Sequence, residues 1–193
     1  MEKNREATER KLIEAIGELI EDKGFEKLGV NAVSRKAGVS KMLIYRYFGS
    51  LDKLIYQYVK RNDFWINVPK EFPELPELKD YFKNMFRENI VQFRENIALK
   101  RLRRWELSSN HPIVIELRAE REANGVYIIE HISRVTGRPL PEVAAIASHI
   151  NATITYLTLL EENCRMYNGI DIQSDEGWEQ IARAIDMLLD IIY

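Results

Sequence analysis

The sequence predicts an all-α protein of about nine helices, and three observations lead to this prediction. Apolar residues recur with a helical period along most of the 193 residues. No segment shows the sustained alternation of apolar and polar residues that marks a half-buried strand. Hydrophobic residues make up 46% and charged residues 30% of the chain, a balance typical of globular rather than disordered proteins.

The N-terminal part is predicted to form four helices. Leu12, Ile16 and Ile20 lie on one face of the first helix, and Gly24 follows as a C-terminal cap. Ser50 is suited to cap the fourth helix. The four helices cover residues 6–23, 30–37, 41–48 and the segment that follows Ser50.

Prolines mark the predicted domain boundary. Pro69, Pro73 and Pro76 lie close together, whereas no proline precedes them. This stiff connector predicts an N-terminal domain over residues 1–61 and a larger C-terminal domain over 62–193. Helices of the second domain are predicted over 77–95, 97–108, 112–135, 141–167 and 175–192.

Charge divides the chain at the same place. Residues 1–61 carry 13 Lys and Arg against 9 Asp and Glu, whereas residues 62–193 carry 15 against 21. Within residues 23–61 there are 9 basic and 2 acidic residues. A basic head on an acidic body is typical of a protein whose head faces a polyanion.

Residues 30–48 carry most of the functional information. Gly38 can take the left-handed conformation that ends the first short helix, and Ser40 can cap the second. Ala37 is small enough for the two helices to cross closely, and Ile44 faces the core. These features predict a helix-turn-helix whose second helix enters a DNA major groove. A plain helical hairpin would explain the turn, but not the basic residues and tyrosines around it.

This stretch resembles the DNA-binding head of TetR-type transcriptional regulators. The matching residues are Gly24-Phe25, Val33, Ala37 to Ser40, Ile44 to Phe48 and Ser50 to Leu54. The resemblance implies a three-helix head around the helix-turn-helix, followed by a helical body that binds a ligand and dimerises through its last two helices.

The candidate DNA-binding residues combine the exposed side of this motif with the resemblance. Tyr45 and Tyr47 match family positions that contact phosphates, and Lys41 begins the helix that sets base preference. An apolar side chain such as Leu43 suits a thymine methyl group. The full set is Asn31, Ser40, Lys41, Met42, Leu43, Tyr45, Arg46, Tyr47 and Lys53.

The sequence departs from the family pattern at three places. Gly29 and Val30 supply no Thr or Ser to cap the first short helix. Met42 and Leu43 stand where a Gly-Thr or Gly-Ser pair is common, which changes the expected groove contacts. Leu51 replaces a frequent lysine.

For the body, the resemblance implies a dimer interface and an effector pocket. The candidate dimerisation residues are Ile150, Ile154, Leu157, Trp178, Ile181, Ile185, Leu188 and Leu189. The alternative is that these stripes only fill the core of one chain. The candidate ligand-binding residues are Trp65, Phe86, Trp105, His111, Tyr127, His131, Tyr156 and Cys164, and each can equally be a core residue.

Two other segments have alternative interpretations. The basic run from Lys100 to Arg104 is interpreted as a solvated face, with Leu102 and Trp105 pointing inward. The run could instead bind an anionic ligand or pair with a carboxylate of the head. Residues 143–160 carry no charge, which meets the minimum length of a membrane span, but their Ser, Asn and Thr residues favour a buried bundle helix.

These observations predict a homodimeric, ligand-responsive repressor that binds a palindromic operator in double-stranded DNA. We expect a cytoplasmic protein with an unidentified small-molecule effector and no membrane partner, cofactor, metal or catalytic residue. One alternative is a DNA-binding regulator without a functional ligand pocket. A remote alternative is an all-α enzyme, but the three histidines form no Glu-x-x-His or His-Glu-x-x-His motif and the single Cys164 has no evident base nearby.

Overall fold

The computed structural model describes residues 2–193, apart from the side chains of residues 2, 3 and 26. Over this range it contains nine α-helices and one short β-hairpin, which confirms the all-α prediction. The helices are α1 (Glu2–Lys23), α2 (Val30–Ala37), α3 (Lys41–Phe48), α4 (Leu51–Asn62), α5 (Leu75–Glu95), α6 (Ile97–Ser108), α7 (Pro112–Thr136), α8 (Leu140–Leu160) and α9 (Asp175–Ile192). The hairpin pairs β1 (Met166–Tyr167) with β2 (Ile170–Asp171) in antiparallel orientation.

One predicted helix is wrong at its C-terminal end. The prediction extends it to residue 167, whereas α8 ends at Leu160 and the hairpin follows. Asn168 and Gly169 form the turn of this hairpin with φ values of 49° and 82°. Two consecutive residues with positive φ match the twist of a tight two-residue hairpin, so these residues reverse the chain.

The chain forms two compact units. The N-terminal unit comprises the residues up to Asn67 together with Asn96–Arg121, and the C-terminal unit comprises Val68–Glu95 and Glu122–Tyr193. Contacts therefore group α6 and the start of α7 with the head. The domain boundary at residue 61 stays a prediction from the sequence.

The core of the N-terminal unit is built on α1. Leu12 and Ile16 are fully buried there, together with Ile44 of α3 and Leu54 of α4. Gly17 lets α4 approach, since a Cβ atom at this position would lie 2.8 Å from the ring of Tyr58. This packing holds the helix-turn-helix, formed by α2 and α3, against α1 and α4.

Helix α6 packs on the end of α1, which corrects the interpretation of the basic run. Trp105 stacks on Phe25 with ring centroids 3.8 Å apart. Arg101 donates hydrogen bonds to the carbonyls of Ile20, at 3.0 Å, and Glu21. The last carbonyls of a helix carry its negative dipole end, so a guanidinium is well placed there. The run is thus not a solvated face, although Leu102 is fully buried as expected.

The C-terminal unit packs α5, α8 and α9 around an apolar core. Phe82, Ile150, Ile154 and Leu189 are almost completely buried in it. Among the described residues one helix, Leu140–Leu160, has the length and composition of a membrane span, with 33% of its apolar window buried within the chain. A core helix of a bundle has the same composition, and this helix packs on α5 and α9.

Candidate nucleic-acid interface

The turn between α2 and α3 is fixed by local hydrogen bonds. Gly38 adopts the left-handed conformation, with φ 67° and ψ 29°, which ends α2 as predicted. The hydroxyl of Ser34 donates to the carbonyl of Val39 at 2.5 Å, and the amide of Val39 donates back to the carbonyl of Ser34 at 3.1 Å. Ser40 caps α3 by accepting from the amide of Met42 at 3.4 Å. Together these contacts set the angle at which α3 leaves the turn.

Helix α3 buries one side and exposes the other. Ile44 is fully buried against the head core. Met42 is 72% and Tyr45 53% exposed, an unusual exposure for large apolar or aromatic side chains. Leu43 and Tyr47 are half-buried at the edge of this surface. The exposed side therefore presents an aromatic and an apolar side chain together, as a groove-reading helix requires.

Cations surround this exposed side. Lys41, Arg46 and Lys53 are exposed, and within the described part of the chain they form no ion pair with a carboxylate. Lys36 differs, because its ammonium lies 2.7 Å from Glu18 and this hydrogen bond raises the pKa of Lys36. The unpaired cations carry charge that a polyanion can neutralise.

The remaining predicted DNA-binding residues also lie on the surface. Asn31 is exposed in the first turn of α2, and Ser40 is exposed at the turn. Gly29 stands at the N-cap of α2 with no side-chain cap, as its sequence implies. Leu51 is half-buried, whereas Lys53 next to it is exposed in the first turn of α4. Their roles toward DNA stay predictions.

Sequence reasoning missed Arg5. Its guanidinium carbon lies 5.3 Å from the ring centroid of Tyr47, and its Nε donates to Glu9 at 2.7 Å. The first turns of α1 thus lie beside α3. No spacing in the sequence indicates this contact, because it joins residues far apart in the chain.

Sequence reasoning also missed a buried quartet of charges in the N-terminal unit. Asp63, at the C-cap of α4, accepts from Arg121 at 2.6 Å and from Arg103 at 3.2 Å. Glu106 accepts from the same two arginines at 2.8 and 3.2 Å. Asp63 is 2% and Glu106 3% exposed. The quartet joins the end of α4 to α6 and α7. Through Arg103, the basic run pairs with the carboxylate of Asp63.

A second polar contact joins α4 to α7 beside this quartet. The hydroxyl of Tyr56 donates to Glu120 at 2.5 Å, and the ammonium of Lys60 donates to the same carboxylate at 3.0 Å. These hydrogen bonds, the one from Tyr56 foremost, lower the pKa of Glu120. Glu120 is therefore a carboxylate at neutral pH, and it ties the second half of α4 to α7 through Tyr56 and Lys60.

The predicted ligand-binding residues are divided between the two units. In the N-terminal unit, Trp105 and His111 lie with ring centroids 5.6 Å apart, and Trp65 is half-buried. In the C-terminal unit, Tyr127 and His131 both pack on Phe72. The other three predicted residues lie elsewhere in that unit. The ring of Tyr156 packs on Tyr167, the thiol of Cys164 donates to the carbonyl of Met166, and Phe86 is buried.

The predicted dimerisation residues lie mostly inside the chain. Leu188 is half-buried, and the other seven are at most 6% exposed. These residues therefore contribute to the core of the C-terminal unit, and their role in dimerisation stays a prediction. The same helices carry another stripe on their exposed sides. It comprises Ala145, His149, Ala152 and Tyr156 on α8, and Gln180, Ala184, Met187 and Ile191 on α9.

Among the described side chains no group of three or more His, Cys, Asp or Glu is arranged to hold a metal ion. The surface around α3 has the clearest binding chemistry of the described features. It combines a rigid helix with exposed apolar, aromatic and cationic side chains.

Comparison with known proteins finds similarity in the segment that contains the helix-turn-helix. Residues 12–57 match the model of a family described as bacterial regulatory proteins, tetR family. No curated protein matches the chain by sequence.

Solved structures are similar over nearly the whole chain. A TetR-family transcriptional regulator from Mesorhizobium loti is 18% identical, with a TM-score of 0.64, over 97% of this chain and 96% of that one. NalD of Pseudomonas aeruginosa, the secondary repressor of the MexAB-OprM multidrug efflux pump, is 17% identical with a TM-score of 0.62 over 93% and 96%. A TetR-like transcriptional regulator from Rhodococcus sp. RHA1 is 15% identical with a TM-score of 0.58 over 94% and 93%.

The sequence similarity to the tetR family thus covers residues 12–57, and over nearly its whole length the chain shares the fold of these solved TetR-type regulators.

Proposed function

We propose that this chain is a cytoplasmic repressor that binds a palindromic operator as a homodimer and responds to a small-molecule effector. The observation that carries the proposal is the exposed side of α3, where Met42 and Tyr45 stand among the unpaired cations Lys41 and Arg46. Cations supply affinity for phosphates, and the side chains that reach base edges supply sequence choice. A repressor acts by occupying the site that polymerase needs.

The proposal is tested by selecting bound duplexes from a random pool at fixed, moderate salt. Salt is fixed because the affinity that arises from phosphate contacts falls steeply with it. We expect an enriched palindrome for the native chain and no enrichment for Tyr45→Ala. Leu43→Ala should bind, but with a shifted sequence preference. Failure of the native chain to retain any duplex, with or without candidate effectors, would contradict the proposal.

Dimerisation is supported by the exposed apolar stripe on α8 and α9. Met187 is 69%, Ile191 56% and Tyr156 53% exposed, an arrangement that favours burial against a second copy. We expect a dimer in sedimentation at micromolar concentration. Met187→Asp should give a monomer that still unfolds cooperatively, whereas a native monomer would contradict this part of the proposal.

An effector site is supported by buried polar atoms in the C-terminal unit. The Nε2 atom of His131 and the hydroxyl of Thr158 are buried with no hydrogen-bond partner among the described residues. Buried polar groups are usually paired, so these two atoms suit a ligand with hydrogen-bonding groups. NalD, as its description states, represses a multidrug efflux pump, which makes drug-like compounds a first screening set. An effector should raise the thermal midpoint and change operator affinity together.

The competing function is a regulator without a working pocket, controlled by its abundance alone. Compounds that raise the thermal midpoint but leave operator affinity unchanged would favour it. Coupling between two sites is typically about 1–3 kcal/mol, so a true effector should change operator affinity by about 5- to 150-fold.

A further inference from the structure

Arg5 places a cation beside the recognition helix from a different part of the chain. Its guanidinium carbon lies 5.3 Å from the ring centroid of Tyr47, on the far half of α3. The Arg5 side chain is 58% exposed, so it lies on the surface and not under α3. A cation over an aromatic ring is attracted by the negative face of the ring, and this attraction favours one orientation of the side chain.

Glu9 holds the same guanidinium from one side. The Nε atom of Arg5 donates to Glu9 at 2.7 Å, and the Glu9 side chain is 24% exposed. A guanidinium has five N–H donors in a planar fork, and Nε is the one nearest the backbone. The outer edge of a guanidinium held in this way is the edge that binds a phosphate in two hydrogen bonds.

We propose that Arg5 binds a backbone phosphate of the same DNA duplex that α3 reads, and so extends the interface from the recognition helix to the first turns of α1. The inference rests on the proposed DNA binding and adds a contact outside the helix-turn-helix. The contacts with Tyr47 and Glu9 help to orient the Arg5 guanidinium. Because phosphates carry no base identity, the contact adds affinity for every sequence equally.

The chain offers a matched control on the same helix. Arg10 and Glu14 form the same kind of pair, four residues apart, with N and O atoms 3.7 Å apart and side chains 72% and 59% exposed. Five residues along an α-helix turn the side chain by about 140°, so Arg10 points away from the side that Arg5 occupies. Arg5→Gln and Arg10→Gln therefore remove the same charge from two sides of one helix.

The test measures the affinity of both variants for the selected operator and for an unrelated duplex, over a series of salt concentrations. We expect Arg5→Gln to lower the affinity for both duplexes about five-fold. The slope of log affinity against log salt concentration should fall by about one for each bound head, because one phosphate contact is lost. Arg10→Gln should change neither. Arg5→Lys should keep the native slope, because the charge remains.

Three results separate the possible failures. An unchanged slope for Arg5→Gln, with weakened binding, would mean that Arg5 only orients Tyr47, and this would overturn the phosphate contact. Equal slope changes for Arg5→Gln and Arg10→Gln would mean that only the net charge of the head matters. This result would also overturn the phosphate contact. Absence of binding by the native chain to every duplex would overturn the proposed function and this inference together.

Discussion

The two compact units use charge in different ways. In the N-terminal unit, two carboxylates and two guanidinium groups are buried together at Asp63, Glu106, Arg103 and Arg121. In the C-terminal unit, cations of α5 and carboxylates of α9 pair along a half-exposed seam. This seam consists of Lys79 and Lys83 with Asp190, and of Arg87 with Glu179 and Asp186.

The difference teaches where ion pairs matter. The seam is open to water, where a single pair contributes little because solvent screens it. The quartet is closed to water, where losing one member leaves an uncompensated charge. Asp63 also lies at the C-terminal end of α4, a position at which the helix dipole disfavours an anion. The two arginines offset that penalty and tie the end of α4 to α6 and α7.

The largest effect is expected for Asp63→Asn. Asparagine keeps the shape and the acceptor that receives the amides of Trp65 and Ile66, but it removes the charge that faces Arg103 and Arg121. We expect the free energy of unfolding to fall by about 3–5 kcal/mol. Urea denaturation of the full chain measures this loss.

Asp190→Asn is the matched change in the seam and should shift the urea midpoint only slightly, because the Asp190 side chain is 48% exposed. The double variant Asp63→Asn with Arg121→Gln should recover part of the loss, since it removes opposite charges from one site. If Asp63→Asn and Asp190→Asn lowered the free energy of unfolding equally, burial would not explain a difference between the quartet and the seam.

A second prediction concerns two glycines of the C-terminal unit. A Cβ atom on Gly177, in the first turn of α9, would lie 2.0 Å from the backbone carbonyl oxygen of Asp171, whereas one on Gly125 in α7 meets nothing within 4 Å. Gly177→Ala should cost about 3 kcal/mol, the upper end of overpacking costs. Gly125→Ala should stabilise by about 0.5–1 kcal/mol, because alanine is the better helix former. Thermal unfolding of both variants measures the two changes in stability. An equal loss of stability for Gly125→Ala would mean that the close approach of the Asp171 carbonyl does not cause the loss at Gly177.

The regular parts of the fold are predictable from the sequence. The bounds of α2, α3, α6 and α9 match their predictions, because each helix is delimited by local signals such as Gly38 or Ser174. The hairpin at residues 166–171 was not predicted, since its strands are two residues long and show no alternation. The predicted helix therefore runs on to residue 167 and includes the first strand of the hairpin.

The site is predictable only where its signal is local. The exposed side of α3 follows from the spacing of Ser40, Ile44 and Tyr45. The contact between Arg5 and Tyr47 and the pairing of Asp63 with Arg121 join distant segments, so no periodicity announces them. The burial of the predicted dimerisation residues shows the same limit, because an apolar stripe does not tell which surface covers it.

A smaller effect is expected for Tyr56→Phe in the N-terminal unit. The change removes the hydroxyl that donates to Glu120 at 2.5 Å but keeps the ring. The contact is only partly buried, so we expect a loss of about 1 kcal/mol, well below that of Asp63→Asn. Urea denaturation measures it, and Tyr45→Phe, on the exposed side of α3, is the control that should leave stability unchanged. A loss as large as that of the quartet variant would mean that the contact at Glu120 belongs to the same buried network.

The smallest effect concerns the pH dependence of the seam. The hydrogen bond from Arg87 lowers the pKa of Glu179, and the one from Lys83 lowers the pKa of Asp190. A carboxylate whose pKa is lower in the folded than in the unfolded state stabilises the fold at neutral pH, and this stabilisation is lost as the pH falls through ~4 and below. Glu179→Gln should therefore narrow the difference in unfolding free energy between pH 6 and pH 3. Since water and salt reach the seam, this effect of Glu179→Gln on the pH dependence of stability should become smaller at high ionic strength. An effect of the same size at high ionic strength would show that the seam is closed to solvent, as the quartet is.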